Sequence, residues 1–327
     1  MSFKQKARYV YDGLKNGYDD PYWLRARVLE FLVAPIHTRL HPRRDGAVDV
    51  MGEDWDTLIV LDACRADLFE QHVNLSDYDE YRREVSRGST TLEWVEQNFA
   101  DKSYGDTVYI TTNPYVSLAA GDAFHELVEL WVNKFDDELN TVPPDRVVSA
   151  ARRAHEEYPN KRIIVHFMQP HLPFVPFPEL QFDGWHVAEY DDWREDTGNM
   201  TDKNDDTGVG TPWEALYKGV VSREAVWNAY GANLDLALDA VSDLLSDIEG
   251  KVVVTSDHGN MLGERTFPFP LRVYGHPVGI RNSELVEVPW AVVQRGNRRE
   301  VEADSTDSAG SGDQETIDHR LEALGYK

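Results

Sequence analysis

Cysteine and positive charge are both scarce in this sequence. Cys64 is the only cysteine among 327 residues, which excludes an intramolecular disulfide framework or a multi-cysteine zinc site and fits a reducing compartment. Only 33 basic residues, 10 of them lysine, stand against 58 acidic ones, for a formal net charge of -25. Because nucleic-acid backbones are bound by lysine and arginine, this balance argues against a nucleic-acid partner.

Long apolar runs are missing as well. No stretch reaches the roughly 20 apolar residues that a membrane-spanning helix needs, and residues 1–13 lack the apolar segment of a secretory signal. We therefore expect a cytoplasmic protein. Residues 22–40 mix aromatic and apolar residues with arginines, which is typical either of a helix docked on the protein's own core or of an interfacial helix that holds the protein peripherally at a membrane. Pro35 would end or kink this helix.

The acidic excess is spread along the chain. An acidic, lysine-poor surface is typical of a halophilic protein, because salt at about 1 M limits electrostatic self-repulsion to a range of about 3 Å. A mesophilic protein with an acidic tail is the alternative.

Short β-branched runs alternate with helical patterns from Asp56 onward. This alternation predicts an α/β fold with a mostly parallel sheet and helices on both faces. The predicted strands are 57–61, 107–112, 162–167, 251–255 and 288–293, and the predicted helices are 92–99, 123–139, 144–158 and 223–250.

The chain divides into four predicted regions. Within the predicted catalytic domain (51–294), residues 183–212 are rich in Asp, Gly, Asn and Thr, which predicts a long loop or lid. The regions are an N-terminal helical extension (1–50), a catalytic domain (51–294), a flexible acidic linker (295–316) and a C-terminal segment (317–327).

Carboxylates and an imidazole follow two of the predicted strands. Asp62 comes directly after 57–61, and Asp257 and His258 leave 251–255 together before a glycine. Open α/β sheets bind ligands at the carboxyl ends of their strands, and an adjacent Asp and His can coordinate one divalent ion. The plainer alternatives are an aspartate that caps the next helix and a turn aspartate beside a surface histidine.

Hydroxyl groups open the helix predicted at 92–99. Ser89, Thr90 and Thr91 follow Gly88, so a hydroxyl there would lie at the positive end of the helix dipole. Thr90 and Glu93 also have capping-box spacing, which needs no chemistry.

Three histidines are predicted at the same sheet edge. His166 and His171 lie at and just after the end of 162–167, and His276 precedes 288–293. One such histidine is commonly structural, whereas several together favour an anion site.

The order of these features resembles the alkaline phosphatase and sulfatase superfamily. The order is strand-Asp62, hydroxyls at a helix start, a PH-P segment, a long helix, Asp-His-Gly at 257–259, and a histidine before a Val-Pro strand. The likeness extends from about Asp56 to Val293. It implies an alkaline-phosphatase-like three-layer sandwich that acts on ester bonds.

The resemblance also implies a metal site and a nucleophile. Asp62, Asp257, His258 and Ser89 would hold the ion. Ser89 would be the nucleophile, with Thr91 and then Thr90 as alternatives. The formylglycine motif of sulfatases is missing, whereas Ser89-x-Thr91 resembles the helix start of phosphopentomutases and phosphoglycerol transferases, where a threonine is the nucleophile.

Four further residues would bind the substrate. His171 and His276 would donate to phosphoryl or sulfuryl oxygens, Asn113 stands at the position of a sulfatase lysine, and Arg65 could clamp an anion or form an ion pair on a helix.

The number of metal ions follows from two departures from the superfamily. Ala63 replaces the second aspartate of sulfatases, and Gln169 stands where two-metal phosphatases have a charged ligand. We therefore expect one divalent ion, Mn, Zn or Ca, rather than two.

The sequence as a whole predicts a metal-dependent phosphoester hydrolase or phosphoryl-type transferase acting on an anionic ester. A phosphoglycerol- or phosphoethanolamine-type transferase acting on a glycan or lipid is one alternative, with residues 22–40 as a contact to a membrane or glycolipid. A sulfate ester hydrolase is another. The alternative from a different class is a catalytically silent binding protein with the same fold.

Overall fold

A seven-stranded sheet forms the centre of the computed structural model, which describes residues 21–40, 46–180 and 211–303. A separate sheet has two strands, β7 and β8. In chain order the strands are β1 (Thr57–Leu61), β2 (Glu80–Val85), β3 (Tyr104–Thr111), β4 (Phe124–Glu129), β5 (Arg162–Phe167), β6 (Gly250–Thr255), β7 (Met261–Arg265), β8 (Arg272–Gly275) and β9 (Glu287–Arg295).

The large sheet has the order β2-β9-β6-β1-β5-β3-β4. β1 pairs in parallel with β5 and β6, and β3 pairs in parallel with β4 and β5. Only β9 runs against its neighbours, β2 and β6. The predicted mostly parallel sheet is therefore confirmed.

Side-chain caps fix the start of several helices. The side chains of Thr90, Asn113 and Ser222 each accept a hydrogen bond from a backbone N–H of the first turn that follows. In chain order the helices are α1 (Pro21–Val28), a π-helical turn (Leu29–Val33), α2 (Ala34–Leu40), α3 (Ala66–His72), α4 (Thr91–Asn98), α5 (Pro114–Ala120), α6 (Leu130–Asn133), α7 (Pro144–Glu157), α8 (Pro212–Lys218), α9 (Arg223–Asp247) and α10 (Ser283–Val286).

The hydrophobic core lies in two layers, one on each face of the sheet. Ile59 belongs to the layer that contains residues of α3, α7 and α9, whereas its neighbours Leu58 and Val60 belong to the layer with Trp94 and Val116. Side chains alternate across a strand, so β1 supplies both layers. The three-layer arrangement expected from the sequence is confirmed.

The prediction of a helix over 123–139 is wrong. Residues 124–129 form β4, which pairs with β3, and only α6 is helical in the middle of the range. The apolar residues are spaced as in a helix, but the free edge of β3 offers backbone partners that local propensity does not reveal.

The N-terminal helices dock on the core, as one of the two sequence alternatives expected. Leu29, Val33 and Ala34 pack with buried residues of the β7–β8 region such as Met261. Pro35 does not end the helix, because α2 continues to Leu40. The π-helical turn precedes it, where the ladder of i to i+4 hydrogen bonds is already interrupted.

The segment after β9 lies against the domain in its described part. Arg298 pairs with Asp54 and Asp56, which precede β1. The remaining predictions for this segment and the lid fall outside the described residues: 304–316 of the linker, 317–327 of the C-terminal segment, and 183–210 of the lid.

Candidate active site

Four strands bring the site together at their carboxyl ends. His166 of β5 lies opposite Val60 of β1 on one side and Thr111 of β3 on the other, and Val60 also lies opposite Thr255 of β6. Asp62 and Asp257, two residues beyond Val60 and Thr255, therefore meet at one edge of the sheet, where open α/β folds bind ligands.

The Asp257 carboxylate uses one oxygen for protein donors. Its Oδ1 accepts hydrogen bonds from the backbone N–H of Ala63 at 2.9 Å and of His258 at 2.8 Å. Ala63 has a φ of 58°, which turns the chain after β1. The other oxygen, Oδ2, is buried and has no hydrogen-bond partner.

The Asp62 carboxylate is arranged in the same way. Its Oδ2 accepts a hydrogen bond from the Asn113 amide at 2.6 Å, whereas Oδ1 is buried without a partner. Burial opposes ionisation, but the interaction with His166 and the charges of His171, His166 and His258 outweigh it, so the pKa of Asp62 lies below its ordinary value. Asp62 is therefore an anion.

His258 presents its Nε2 atom to both partnerless oxygens. Its Nδ1 lies 2.8 Å from the carbonyl oxygen of Gly259, so Nδ1 carries the proton of the neutral ring and Nε2 has a free lone pair. Nε2 lies 3.4 Å from Oδ2 of Asp257 and 3.9 Å from Oδ1 of Asp62.

His166 is a further candidate ligand that sequence reasoning did not assign to the metal. Its Nε2 is buried without a hydrogen bond and lies 3.6 Å from Oδ2 of Asp62, while Nδ1 lies 3.0 Å from the Tyr109 hydroxyl. The signal in the sequence is a histidine inside a buried strand that lies next to the strand ending at Asp62.

These atoms fit a divalent metal ion. Two buried carboxylate oxygens and one imidazole nitrogen without partners are costly unless a cation is bound. Ligand atoms about 2.1 Å from a tetrahedral ion lie about 3.4 Å from each other, close to the separations of the His258 nitrogen from the two carboxylates. The buried group Asp62, His166 and Asp257 could hold the ion, with His258 beside it.

We call Asp62, His166, Asp257 and His258 the metal group. The Thr91 hydroxyl faces this group. Its Oγ1 lies 3.5 Å from Oδ2 of Asp62 and 3.4 Å from Nε2 of His258, and it accepts from the Asn113 amide at 3.3 Å. Thr91 is the first residue of α4, so it also lies at the positive end of that helix.

The other two hydroxyls have structural contacts. Ser89 Oγ donates to Glu93 Oε2 at 3.0 Å and accepts from the N–H of Gly279 at 2.9 Å, and no contact with the metal group is among its bonds. Thr90 caps α4 by accepting from the N–H of Glu93 at 3.2 Å, as the capping-box alternative expected. The arrangement favours Thr91 over the first choice, Ser89, as nucleophile and as fourth ligand.

Gly88 permits this helix start. A Cβ atom at this position would lie 2.4 Å from the backbone nitrogen of Trp94, inside the first turn of α4. Only glycine lets the preceding loop approach so closely.

His171 and His276 form a pair beside the metal group. Their Nε2 atoms are 3.0 Å apart, and the His276 ring centroid is 4.7 Å from that of His258. His171 Nδ1 lies 3.0 Å from the Leu172 carbonyl oxygen. Burial lowers the pKa of His276 well below its ordinary value, and the charges of His258 and His171 lower it further.

Two residues that were predicted to bind the substrate form hydrogen bonds to other protein side chains. Asn113 donates to Asp62 and Thr91, so it orients these groups. The Arg65 guanidinium donates to Asp67 and Glu264 and is nearly buried, which corresponds to the ion-pair alternative rather than to a substrate clamp.

Several solved structures are similar to the chain at low identity. The C-terminal periplasmic domain of phosphoethanolamine transferase EptC from Campylobacter jejuni has 16% identity and a TM-score of 0.46, with 82% of each chain covered. The C-terminal periplasmic domain of EcEptC from Escherichia coli in complex with Zn has 14% identity and a TM-score of 0.41, with 75% of each chain covered.

A protein in the alkaline phosphatase superfamily from Vibrio parahaemolyticus has 12% identity and a TM-score of 0.41, with 76% of this chain and 62% of that chain covered. This superfamily is the one that the sequence resembles. No protein-family model and no curated protein matches the sequence. The roles of the residues rest on the geometry above.

The cytoplasmic location expected from the sequence is contradicted by these comparisons. Two of the similar structures are periplasmic domains. No helix in the described ranges is long and apolar enough to cross a bilayer.

Proposed function

We propose that this protein is a metal-dependent phosphoryl-type transferase with Thr91 as its nucleophile. The placement of the Thr91 hydroxyl within 3.5 Å of both Asp62 and His258 carries this proposal. It favours the phosphoglycerol- or phosphoethanolamine-type alternative over the sulfatase reading, because the sequence resembles the former enzymes in using threonine at this helix start.

One divalent ion fits the candidate ligands better than two. Asp62, His166 and Asp257 would hold it, with His258 and the Thr91 oxygen adjacent. A bound divalent ion lowers the pKa of a coordinated hydroxyl and neutralises negative charge on the transferred group. Gln169 donates from its amide to the Val142 carbonyl at 3.4 Å and offers no charged ligand for a second ion.

Thr91 is held ready for attack on phosphorus. The Asn113 amide donates to Oγ1, which leaves the hydroxyl proton directed to Asp62 Oδ2 or His258 Nε2. Attack forms a bond from Oγ1 to phosphorus and breaks the bond to the leaving oxygen, while the Thr91 proton passes to Asp62 and from there to the leaving oxygen, which departs as an alcohol or phenol. An acceptor alcohol then takes the phosphoryl-type group from Thr91 and restores the hydroxyl.

The histidine pair supplies donors for the substrate. In the neutral pair, His171 Nδ1 donates to Leu172 O, so His276 Nε2 donates to His171 Nε2. An anionic phosphoryl group that enters beside His258 would draw this proton toward its own oxygens, where negative charge develops.

A mass measurement under denaturing conditions tests the nucleophile. The protein is loaded with Zn²⁺ or Mn²⁺ and incubated briefly with an aryl phosphate, an aryl phosphodiester of ethanolamine or an aryl sulfate. We expect a gain of one phosphoryl-type group that is lost in Thr91→Ala and kept in Ser89→Ala, which is the matched control. A gain that persists in Thr91→Ala, or is lost in Ser89→Ala alone, contradicts the role of Thr91.

Added glycerol distinguishes transfer from hydrolysis. A transferase should give phosphorylated glycerol in preference to free phosphate, whereas a hydrolase should give the same product with and without glycerol. Turnover of aryl sulfate alone would favour the sulfate ester hydrolase, and no turnover of any ester would favour the silent binding protein.

Metal content provides an independent prediction. We expect the purified protein to bind about one Zn²⁺ or Mn²⁺ per chain, and Asp257→Asn to lower affinity at least about 100-fold because a charged ligand is lost. Asp243→Asn, at an exposed carboxylate of α9, is the control and should bind like the wild type. Equal metal content in Asp257→Asn and the wild type would contradict the assigned ligands.

A further inference from the structure

The turn between β7 and β8 exposes an apolar tip. Its sequence is Phe267-Pro268-Phe269-Pro270, and all four residues are exposed, Phe267 by 74%. Val278, shortly after β8, is 50% exposed. Exposed aromatic residues of this size at the end of a hairpin are costly in water unless they serve an interaction.

The N-terminal helices expose apolar residues on the side away from the core. Val33 is fully buried against the β7–β8 region, whereas Leu24, Phe31 and Leu32 are exposed, Leu32 by 49%. Leu40 at the end of α2 is also exposed.

His37 joins these two exposed regions. One ring nitrogen bonds to the carbonyl oxygen of Phe267, and the other accepts from the N–H of Arg281 at 2.9 Å. Gly279, with a φ of +76°, brings the same loop so close to α2 that a Cβ atom there would lie 3.1 Å from the Ala34 Cβ. We call the exposed residues around this junction the apolar face: Leu24, Phe31, Leu32, Leu40, Phe267, Phe269 and Val278.

The segments that carry the apolar face are rich in positive charge, in a chain that is otherwise strongly acidic. Residues 21–40 and 261–275 together contain five arginines against two glutamates, whereas the whole chain has a net charge of -25. Arg39, Arg265 and Arg272 are exposed. Apolar and aromatic residues combined with arginine are what the interface of an anionic lipid membrane binds.

A short segment of chain connects the apolar face to the candidate active site. Residues 276–281 run from His276, beside the metal group, to Arg281 at His37. Within this segment the Pro277 carbonyl accepts from Ser89 Oγ at 3.2 Å. A surface bound at the apolar face would therefore be connected to the histidine pair through this segment.

We propose that the apolar face binds the interface of a bilayer containing anionic lipid, with the Phe267–Pro270 tip and helices α1 and α2 inserted side by side. The sequence predicted a membrane contact only for residues 22–40, whereas the structure adds the Phe267–Pro270 tip to the same surface. If the proposed function holds, the substrate ester would be anchored in the lipid bilayer. That consequence rests on the proposed function, whereas membrane binding itself does not.

Vesicle sedimentation tests this surface. The full chain is mixed with vesicles of phosphatidylglycerol and phosphatidylcholine, or of phosphatidylcholine alone. We expect binding to the anionic vesicles, reduced about tenfold or more in Phe267→Ser/Phe269→Ser because two aromatic side chains no longer insert. Leu118→Ser, at a residue 53% exposed on α5, is the matched control and should bind like the wild type.

Charge and activity are separated by two further variants. Arg39→Gln/Arg265→Gln should weaken binding to anionic vesicles about fivefold for each charge removed and leave binding to neutral vesicles unchanged. Asp257→Asn should bind vesicles normally, and Phe267→Ser/Phe269→Ser should cleave a soluble aryl ester normally, so failure of the membrane surface is distinguishable from failure of the proposed function.

Three outcomes would overturn the proposal. The first is no binding to anionic vesicles, and the second is binding that the phenylalanine variant leaves unchanged. The third is a concentration-dependent dimer in the absence of lipid that the same variant abolishes, because the apolar face would then be an interface between two copies of the chain.

Discussion

Glu93 is a buried carboxylate that connects the start of α4 to the loop after β8. One of its oxygens pairs with the Arg281 guanidinium, and the other accepts from the backbone N–H of Ser89 at 2.9 Å. Both side chains of the pair are no more than 5% exposed. The ion pair therefore connects the first turn of α4, which contains Thr91, to the loop that follows His276.

Breaking this buried pair should destabilise the protein strongly. We expect Glu93→Gln to lower the free energy of unfolding by about 3 kcal/mol, because the Arg281 charge loses its charged partner inside the protein. Urea denaturation measures this change. Glu93→Gln/Arg281→Met is the companion variant and should recover a large part of the loss, since no unpaired charge remains. A loss below about 1 kcal/mol in Glu93→Gln would show that the pair is solvated.

At the residue scale, the sequence placed Asp62, Asp257 and His258 at one sheet edge, where the structure brings them together, but it did not single out the hydroxyl that faces them. Asp62, Asp257 and His258 could be named because they follow β-branched runs directly. The choice among Ser89, Thr90 and Thr91 could not be made, because the three hydroxyls are consecutive and only the path of the loop decides which one points toward the carboxylates. His166 was predicted at the same edge, but as part of an anion site and not as a candidate metal ligand.

His155, near the end of α7, connects that helix to the segment after β9. Its Nδ1 accepts from Arg299 at 2.7 Å, and its Nε2 lies 3.3 Å from the Thr57 hydroxyl. Burial, together with the charge of Arg299, lowers the pKa of His155 to about 4. The folded protein therefore keeps this ring neutral at pH values at which an unfolded chain protonates it.

The depressed pKa predicts a loss of stability in mild acid. Between about pH 6.5 and pH 4 the unfolded chain binds a proton at His155 that the folded chain does not, so the free energy of unfolding falls as pH falls, by up to about 1.4 kcal/mol per pH unit. His155→Gln should remove this part of the slope in urea denaturation at a series of pH values. The stabilities of variant and wild type should run parallel above pH 7. Parallel curves between pH 6.5 and 4 would contradict the prediction.

At the scale of elements, buried strands were easier to predict than edge strands. β1 and β5 have the predicted bounds because continuous β-branched runs need burial on both faces. β4 lies at the edge of the sheet, and its apolar residues Phe124, Leu127 and Val128 are spaced as on one face of a helix. β2 and the β7–β8 hairpin were not predicted, because none of them is a continuous apolar run.

The net charge of -25 opposes the approach of an anionic ester to the whole molecule. At about 0.01 M salt this repulsion extends about 30 Å, whereas at about 1 M it extends about 3 Å. The segments that carry the apolar face, 21–40 and 261–275, contain five arginines against two glutamates and so oppose this repulsion. The halophilic habitat inferred from the charge is not supported by the comparisons and stays a prediction.

Activity on an anionic ester should therefore rise with salt. We expect kcat/KM for a dianionic aryl phosphate to increase several-fold between dilute buffer and about 1 M NaCl with metal supplied, mainly through a lower KM. A zwitterionic aryl phosphodiester of ethanolamine is the control substrate and should respond less, because it carries no net charge. Activity that falls with salt for the dianionic ester would contradict this expectation.

The sequence by itself determined the fold class, the mostly parallel sheet and the edge of the sheet at which the candidate site residues meet. Its β-branched runs and the polar residues that end them are local patterns, and parallel pairing places strand ends at a common edge. Tertiary structure alone decided which oxygen of each aspartate is left without a partner, which hydroxyl faces them, and that the Phe267 tip adjoins the N-terminal helices. These facts depend on contacts between residues far apart in the chain, such as Ala63 with Asp257 and His37 with Phe267, and no local pattern encodes them.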